Sequence, residues 1–177
     1  MAKKTAVLAA ALWLALAFVQ GCAPRPNEVY ELYSNGEYEC TLEAENCLRL
    51  ADLATVEAAI DADERMIVLL IGAPWCPYCA HDIGIIDEEF AASGLEESLS
   101  FIYYIDAADS HDSAEIITEL NARYDWYVRT LMPCLLAIRG REVAADRRDE
   151  AFLAYEDRAE QIRAFFAAVK QLAEQPA

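Results

Sequence analysis

The chain has 177 residues, of which 56% are hydrophobic and 25% charged, and its formal net charge is −17 at pH 7. This length suits a single domain with a sizeable core. A chain this acidic repels phosphate backbones, and no basic cluster offsets the charge, so nucleic acid is excluded as an expected partner.

The N-terminal segment has the pattern of an export signal. Two lysines precede an apolar run over 6–19, which is too short to span a bilayer comfortably. Residues 19–22, Val-Gln-Gly-Cys, resemble a bacterial lipoprotein processing site, with the cysteine as the new N-terminus. We therefore predict a signal peptide over 1–21, lipidation of Cys22, and a location at the outer face of the bacterial cytoplasmic membrane or in the periplasm. Ordinary secretory cleavage, which would leave Cys22 as a plain thiol, is the alternative.

The segment over 22–36 contains two prolines and an Asn-Gly pair, and it has no sustained hydrophobic period. This composition is typical of a connecting segment. We predict a tether between the membrane and a domain that occupies 37–177. Tyr30 and Tyr33 indicate that part of the tether packs on the domain.

Cys40 and Cys47 bracket six residues that include neither proline nor glycine. Exported domains commonly use such local pairs as structural bridges, so we predict a structural disulfide between them. A bridge of this kind would contribute roughly 2–3 kcal/mol by the loop-entropy model. The alternative is a second redox pair that passes electrons to the cysteines further along the chain.

From residue 50 onward, the hydrophobic pattern alternates between helical and strand spacing. The order of elements is α, β, α, β, α, β, β, α, which predicts an α/β layered sheet. The first predicted elements are a helix over 50–63, a strand over 66–71, and a helix from the cysteine pair at 76 and 79 to at least residue 90. They are followed by a strand over 101–105, a helix between 112 and 124, a hairpin of strands 135–138 and 142–145, and a C-terminal helix around 162–172.

Two cysteines separated by two residues, Cys76 and Cys79, lie at the junction of the first strong strand and the following helix. A thiol in the opening turn of a helix is favoured as a thiolate by free N–H groups and by the helix dipole. The second thiol is close enough to attack a mixed disulfide formed by the first. We predict Cys76 as the nucleophile and Cys79 as the resolving residue. A permanently oxidised pair or a metal-binding pair is the alternative.

The element order, with Trp-Cys-Pro-Tyr-Cys at the end of the first strong strand, resembles the thioredoxin fold over roughly 49–175. The segment over 127–140 is similar to the family's segment in which a cis-proline opens a central strand that leads into a glycine-containing hairpin. The resemblance implies a central mixed sheet flanked by helices, with an N-terminal extension. It also implies a cis bond at Pro133. The substrate-binding residues that it implies are Trp75, Pro77, Tyr78, Met132 and Pro133.

Within this family, the chain is similar to small bacterial proteins described as bacteriocin-transport accessory proteins, through Ile71-Gly72, Cys-Pro-Tyr-Cys and the Tyr-Tyr-Ile-Asp strand over 103–106. It departs from cytosolic thioredoxins at two places. The Pro-Tyr pair between the cysteines is the one seen in glutaredoxins. Leu70 stands where thioredoxins carry a buried aspartate that helps take the proton from the resolving thiol, so water or another acid must do so here.

Two further residues have competing interpretations. His81 is predicted to be a solvated helix residue, and the alternative is that it tunes the thiolate or binds a metal with the two cysteines. Cys134, next to the expected cis-proline, is predicted to be a buried strand thiol, and the alternative is a redox partner.

These observations predict an extracytoplasmic, membrane-tethered thiol–disulfide oxidoreductase that reduces, forms or exchanges protein disulfides and requires no organic cofactor or metal. Its expected partners are protein or peptide disulfides and thiols, a separate redox partner, and the membrane through the lipid anchor. The alternatives are a copper or zinc chaperone and a non-enzymatic binding module of the same fold. The sequence does not determine the direction of electron flow.

Overall fold

The computed structural model describes residues 27–62, 66–107, 113–128, 132–146 and 155–174. The predicted signal peptide over 1–21 and the predicted lipidation of Cys22 fall outside the described residues. No helix in the described part of the chain is long and apolar enough to cross a membrane.

A five-stranded mixed sheet forms the centre of the domain, in the order β1-β3-β2-β4-β5. β1 and β2 both run parallel to β3, β4 runs antiparallel to β2, and β5 pairs antiparallel with β4. The predicted fold class, an α/β fold with a central mixed sheet flanked by helices, is confirmed. The strands are β1 (Leu48–Leu50), β2 (Met66–Gly72), β3 (Ile102–Asp106), β4 (Cys134–Arg139) and β5 (Glu142–Asp146).

Six helices in the described ranges flank the sheet, and the apolar residues of the sheet divide into two cores. One core packs alternate strand residues, such as Leu70 and Tyr104, against α1, α3 and α6, and the other packs Leu69 and Ile71 against α2 and α5. Successive residues of a strand point to opposite faces, so the two cores lie on opposite sides of the sheet. The helices are α1 (Glu28–Ser34), α2 (Leu53–Ala62), α3 (Pro77–Ser93), α4 (Glu96–Leu99), α5 (Ser113–Tyr124) and α6 (Tyr155–Ala173).

β2 is the central strand because its sequence, Met-Ile-Val-Leu-Leu-Ile-Gly, can be buried on both faces. It lies between β3 and β4, and Leu70 is opposite Tyr104 on one side and Leu135 on the other. This register brings the C-terminal end of β2, and therefore the cysteine motif that follows it, beside the N-terminal end of β4.

The prediction of a tether over 22–36 is wrong for residues 27–36, which belong to the domain. Asn27 caps α1 by accepting a 2.8 Å hydrogen bond from the Val29 N–H, and its own side-chain amide donates to the Leu48 carbonyl at 2.7 Å. Val29 and Tyr33 lie four residues apart on one helical face, and both are buried in the core. This burial gives the short helix a fixed place on the sheet.

The chain that follows α1 crosses the middle of α3, and Gly84 makes the crossing possible. A β-carbon on Gly84 would lie 2.9 Å from the backbone carbonyl carbon of Thr41 and 3.1 Å from the Leu42 nitrogen. Any larger residue would push the crossing segment away from the helix. Thr41 and Leu42 therefore pack directly on the helix that carries the cysteine motif.

Candidate active site

The two cysteines of the motif lie where the central strand ends and α3 begins. Cys76 is the N-cap residue of α3, with φ −88° and ψ 116°, and Pro77 is at the start of the helix, where its fixed φ is suitable and no N–H is needed. The Cys76 N–H donates to the Ala73 carbonyl at 3.0 Å, which closes the loop into a tight turn. The predicted position of Cys76 at the opening of the helix is confirmed.

The Cys76 thiol is acidic. Its pKa is lowered to about 6, chiefly because the Cys79 thiol donates a hydrogen bond to its sulfur. The backbone N–H groups of Cys79 and Tyr78 and the positive charge of Arg158 act in the same direction, whereas burial opposes them. The sulfur is therefore largely a thiolate at neutral pH, although the residue is only 7% exposed.

The Cys79 thiol has the opposite character. Its pKa is raised well above the ordinary value because it is the donor in the hydrogen bond to Cys76, and because burial, the charge on Cys76 and the charge on Asp82 all disfavour a second anion. Cys79 is 2% exposed. The two thiols thus form an asymmetric pair, with one ionised near the surface and one protonated a helical turn deeper.

Two buried tyrosines lie beneath the dithiol. The hydroxyl groups of Tyr33, from α1, and Tyr104, from β3, are 3.0 Å apart, and their rings meet edge to face. A β-carbon on Gly72 would lie 3.2 Å from the Tyr33 hydroxyl oxygen, 3.4 Å from Cys79 Sγ and 3.4 Å from the Tyr104 ring. The Tyr33 hydroxyl, the Tyr104 ring and the resolving thiol therefore border the same small space, which the absence of a side chain on Gly72 leaves open.

A buried ion pair lies on the other side of Cys79. Asp82 is fully buried, and its carboxylate accepts hydrogen bonds from Arg158 Nε at 2.8 Å and from Arg158 Nη2 at 2.5 Å. The Arg158 guanidinium also lies 5.0 Å from the centre of the Tyr78 ring. Arg158 comes from α6, so the C-terminal helix supplies a positive charge to the site.

The sequence predicts that His81 is a solvated helix residue, but in the structure its ring contacts a buried carboxylate. Its Nδ1 lies 2.8 Å from Asp82 Oδ1, and its side chain is about one third exposed. The prediction fails because the neighbouring Asp82 is buried in an ion pair with Arg158, and the His81 ring lies within hydrogen-bond distance of the same carboxylate. In the part of the chain that the structure describes, no three His, Cys, Asp or Glu side chains come together as a metal site.

The residues that the family resemblance assigns to substrate binding fall into an exposed group and a buried group. Trp75 is 50% exposed and Tyr78 is 37% exposed, so both present aromatic surface beside Cys76. The Met132–Pro133 peptide bond is cis, as predicted, with Pro133 buried and Met132 partly buried. Pro133 directly precedes β4, whose first residue is opposite Ile71 of β2.

Cys134 is the buried strand thiol that the sequence predicts. It is 6% exposed and belongs to the core on the side of α2 and α5, with Ile71 and Trp126. Cys76 and Cys79 belong to the core on the opposite side of the sheet. The sheet therefore separates Cys134 from the dithiol, and this position does not support its use as a redox partner.

Cys40 and Cys47 are free thiols in the structure, as are Cys76 and Cys79, and the structural disulfide between Cys40 and Cys47 stays a prediction. Cys47 is buried against α3, where Asp87 accepts a 2.8 Å hydrogen bond from its N–H. Burial, and then a hydrogen bond from the thiol to the same carboxylate, raises the pKa of Cys47. Cys40 is partly buried, and its sulfur accepts a hydrogen bond from the Leu42 N–H at 3.4 Å. The Asp87 carboxylate thus anchors the backbone of Cys47 to α3.

Four residues of the site were missed in the sequence: Tyr33, Asp82, Tyr104 and Arg158. The sequence places Tyr33 in the predicted tether and Tyr104 in a predicted strand, and neither position indicates a contact with the dithiol. Asp82 had a detectable signal, since it lies three residues after Cys79 and therefore on the inward face of α3. Arg158 had none, because its position depends on how α6 packs.

No protein-family model matches the chain, and no curated protein matches its sequence. Among solved structures, the first thioredoxin domain of mouse protein disulfide-isomerase A4 is similar at 17% identity and a TM-score of 0.48, over 75% of this chain and 82% of that one. The thioredoxin of Malassezia sympodialis has 12% identity and a TM-score of 0.46, over 69% and 93%. Thioredoxin f from spinach chloroplast has 18% identity and a TM-score of 0.43, over 70% and 97%. These likenesses concern the shape of the domain and not its activity.

Proposed function

We propose that the chain is an exported thiol–disulfide oxidoreductase whose working groups are Cys76 and Cys79. The observation that carries this proposal is the asymmetry of the two thiols. Cys76 is acidic at a helix N-terminus, with a pKa lowered to about 6, and Cys79 keeps its proton one turn deeper. A nucleophile that is ionised at neutral pH beside a protonated resolving thiol suits disulfide exchange.

In the reductive direction, the Cys76 thiolate attacks one sulfur of a substrate disulfide, and the other substrate sulfur leaves as a thiolate. Cys79 then loses its proton and attacks Cys76 Sγ. The bond between Cys76 and the substrate breaks, the Cys76–Cys79 disulfide forms, and the substrate has gained two electrons and two protons. Oxidation of a substrate dithiol follows the same steps in reverse.

The exposed rings of Trp75 and Tyr78 and the cis-proline segment support a substrate that is an extended peptide carrying a cysteine. Both exposed rings are within two residues of Cys76 in the chain, and Pro133 directly precedes β4, the strand next to β2. Aromatic surface of this kind contributes apolar contact area to a partner at little cost in conformational entropy. The proposal includes the predicted membrane attachment through Cys22 and the similarity to bacteriocin-transport accessory proteins. Both rest on the sequence alone.

The proposal is tested by reduction of a disulfide-bonded peptide with dithiothreitol as the electron donor. Wild type should accelerate the reaction, and Cys76→Ser should lower the rate to that of dithiothreitol alone. Cys40→Ser is the matched control, since Cys40 is a partly buried free thiol away from the motif, and it should keep the wild-type rate. Full activity in Cys76→Ser would refute the assignment.

A further inference from the structure

Cys79 can attack the mixed disulfide only as a thiolate, and its surroundings disfavour that anion. Cys79 must lose its proton in a site where it is 2% exposed. Leu70, on the strand beneath, is apolar and buried, and the charge on Asp82 opposes a thiolate on Cys79. Asp82 is also engaged by Arg158 through three hydrogen bonds. A hydrogen bond from the Ala73 backbone lowers the pKa of Cys79, but burial and the neighbouring anions outweigh it, so a further donor is needed to stabilise the charge that appears on Cys79.

The tyrosine pair provides suitable hydrogen-bond donors. The Tyr33 hydroxyl and Cys79 Sγ both border the space over Gly72, and the Tyr104 hydroxyl lies 3.0 Å from that of Tyr33. Both rings are buried, which keeps both hydroxyl groups protonated across the working range, because burial raises their pKa values far above the ordinary value of 10. The pair has two hydroxyl hydrogens, and the contact between the two groups uses one of them.

We propose that Tyr33 takes part in the resolving step: its hydroxyl group, which Tyr104 positions, stabilises the thiolate that forms on Cys79. The inference rests on the proposed function. It makes α1 part of the redox site, because the hydroxyl comes from a helix that packs in the same core as the dithiol. The step is the attack of the Cys79 thiolate on Cys76 Sγ, with release of the substrate thiolate, and the proton of Cys79 passes to water or to that thiolate.

The test is a single-turnover reaction of the reduced protein with 5,5′-dithiobis(2-nitrobenzoate), which releases one coloured thiolate in each step. The first release reports attack by Cys76, and the second reports resolution by Cys79. In Tyr33→Phe we expect the second release to slow about tenfold, the usual size of a lost hydrogen bond to a charged group, while the first stays within about twofold. The pH at which the second rate is half-maximal should also rise, which loss of packing alone would not cause.

Other charged or titratable groups near Cys79 could also shift the pH dependence of the second release, so the comparison must leave them unchanged. They are Cys76 on the loop, Asp82 on α3, and Tyr104 on β3, while Arg158 acts on Cys76 and Asp106 on Tyr104. Each is unchanged in Tyr33→Phe. Tyr30→Phe removes a hydroxyl from the same helix at a partly buried position and should leave both rates as in wild type.

Tyr104→Phe should slow the second release in the same way as Tyr33→Phe, and it carries the test if Tyr33→Phe does not fold. An unchanged second rate and pH profile in the folded variant would overturn the inference and leave the proposed function intact. If wild type releases no first thiolate, or never releases a second, the proposed function fails instead.

Discussion

Arg158 of the C-terminal helix holds Asp82 of the active-site helix through hydrogen bonds of 2.8, 3.0 and 2.5 Å, and both side chains are buried. Asp82 lies three residues after Cys79, so the pair fixes α6 against the turn of α3 that carries the dithiol. Removal of one member of a buried ion pair leaves the other charge without compensation. The pair therefore links the stability of the domain to the charges that the two thiols experience.

Asp82→Asn should destabilise the protein by about 3–5 kcal/mol, because it leaves the Arg158 guanidinium buried without its counter-charge. Urea unfolding of the reduced protein measures the loss. The double variant Asp82→Leu with Arg158→Met removes both charges and should recover most of the stability, since apolar replacement of a buried pair is often neutral. A single variant as stable as wild type would show that the pair is not buried as described.

Arg158→Gln should raise the pKa of Cys76 from about 6, because a positive charge that favours the thiolate is lost. The rise should be less than about one unit, since the hydrogen bond from Cys79 remains the largest cause. The rate of alkylation as a function of pH measures it. Arg163→Gln is the control on the same helix. Arg163 pairs with Glu89 through a 2.6 Å hydrogen bond, and its loss should leave the profile unchanged.

Much of the fold could be predicted from the sequence, because the strands are short apolar runs bounded by turns and the helices show regular spacing. β2 and the Cys76 N-cap follow directly from the apolar run and from Pro77. β1 and α1 could not be predicted in this way. β1 has only three residues, and α1 is a seven-residue helix whose stability depends on burying Val29 and Tyr33 in a core that the local sequence does not reveal.

The site was predictable only where its residues lie together in sequence. Cys76, Cys79 and Pro133 are found from local motifs. Tyr33, Tyr104 and Arg158 come from three different elements and meet the dithiol only through tertiary packing.

The stability of the reduced protein should depend on pH through Cys76. The pKa of this thiol is about 6 in the folded protein and 9.0 ordinarily. A lowered folded-state pKa contributes stability above the ordinary value, and the contribution falls as the pH falls toward 6. The free energy of unfolding of reduced wild type, minus that of Cys76→Ser, should therefore decrease between pH 8 and pH 5. A difference that does not change with pH would mean that Cys76 titrates normally.

The same thiolate should make the protein more oxidising than a typical thioredoxin. Stabilisation of the Cys76 anion favours the reduced form, and a more stable reduced form raises the reduction potential. We expect a potential less negative than about −270 mV, the thioredoxin value. Equilibration with glutathione buffers, followed by thiol alkylation and mass spectrometry, measures it. A potential at or below that value would indicate that other interactions stabilise the disulfide form.

The central claim is that Cys76 attacks the substrate and Cys79 resolves the intermediate. Its most direct test is to incubate Cys79→Ser with a disulfide-bonded peptide and to locate the trapped adduct by mass spectrometry after proteolysis. The account predicts a stable mixed disulfide between the peptide and Cys76, and none in Cys76→Ser. An adduct on Cys40, Cys47 or Cys134 instead, or no adduct at all, would contradict it.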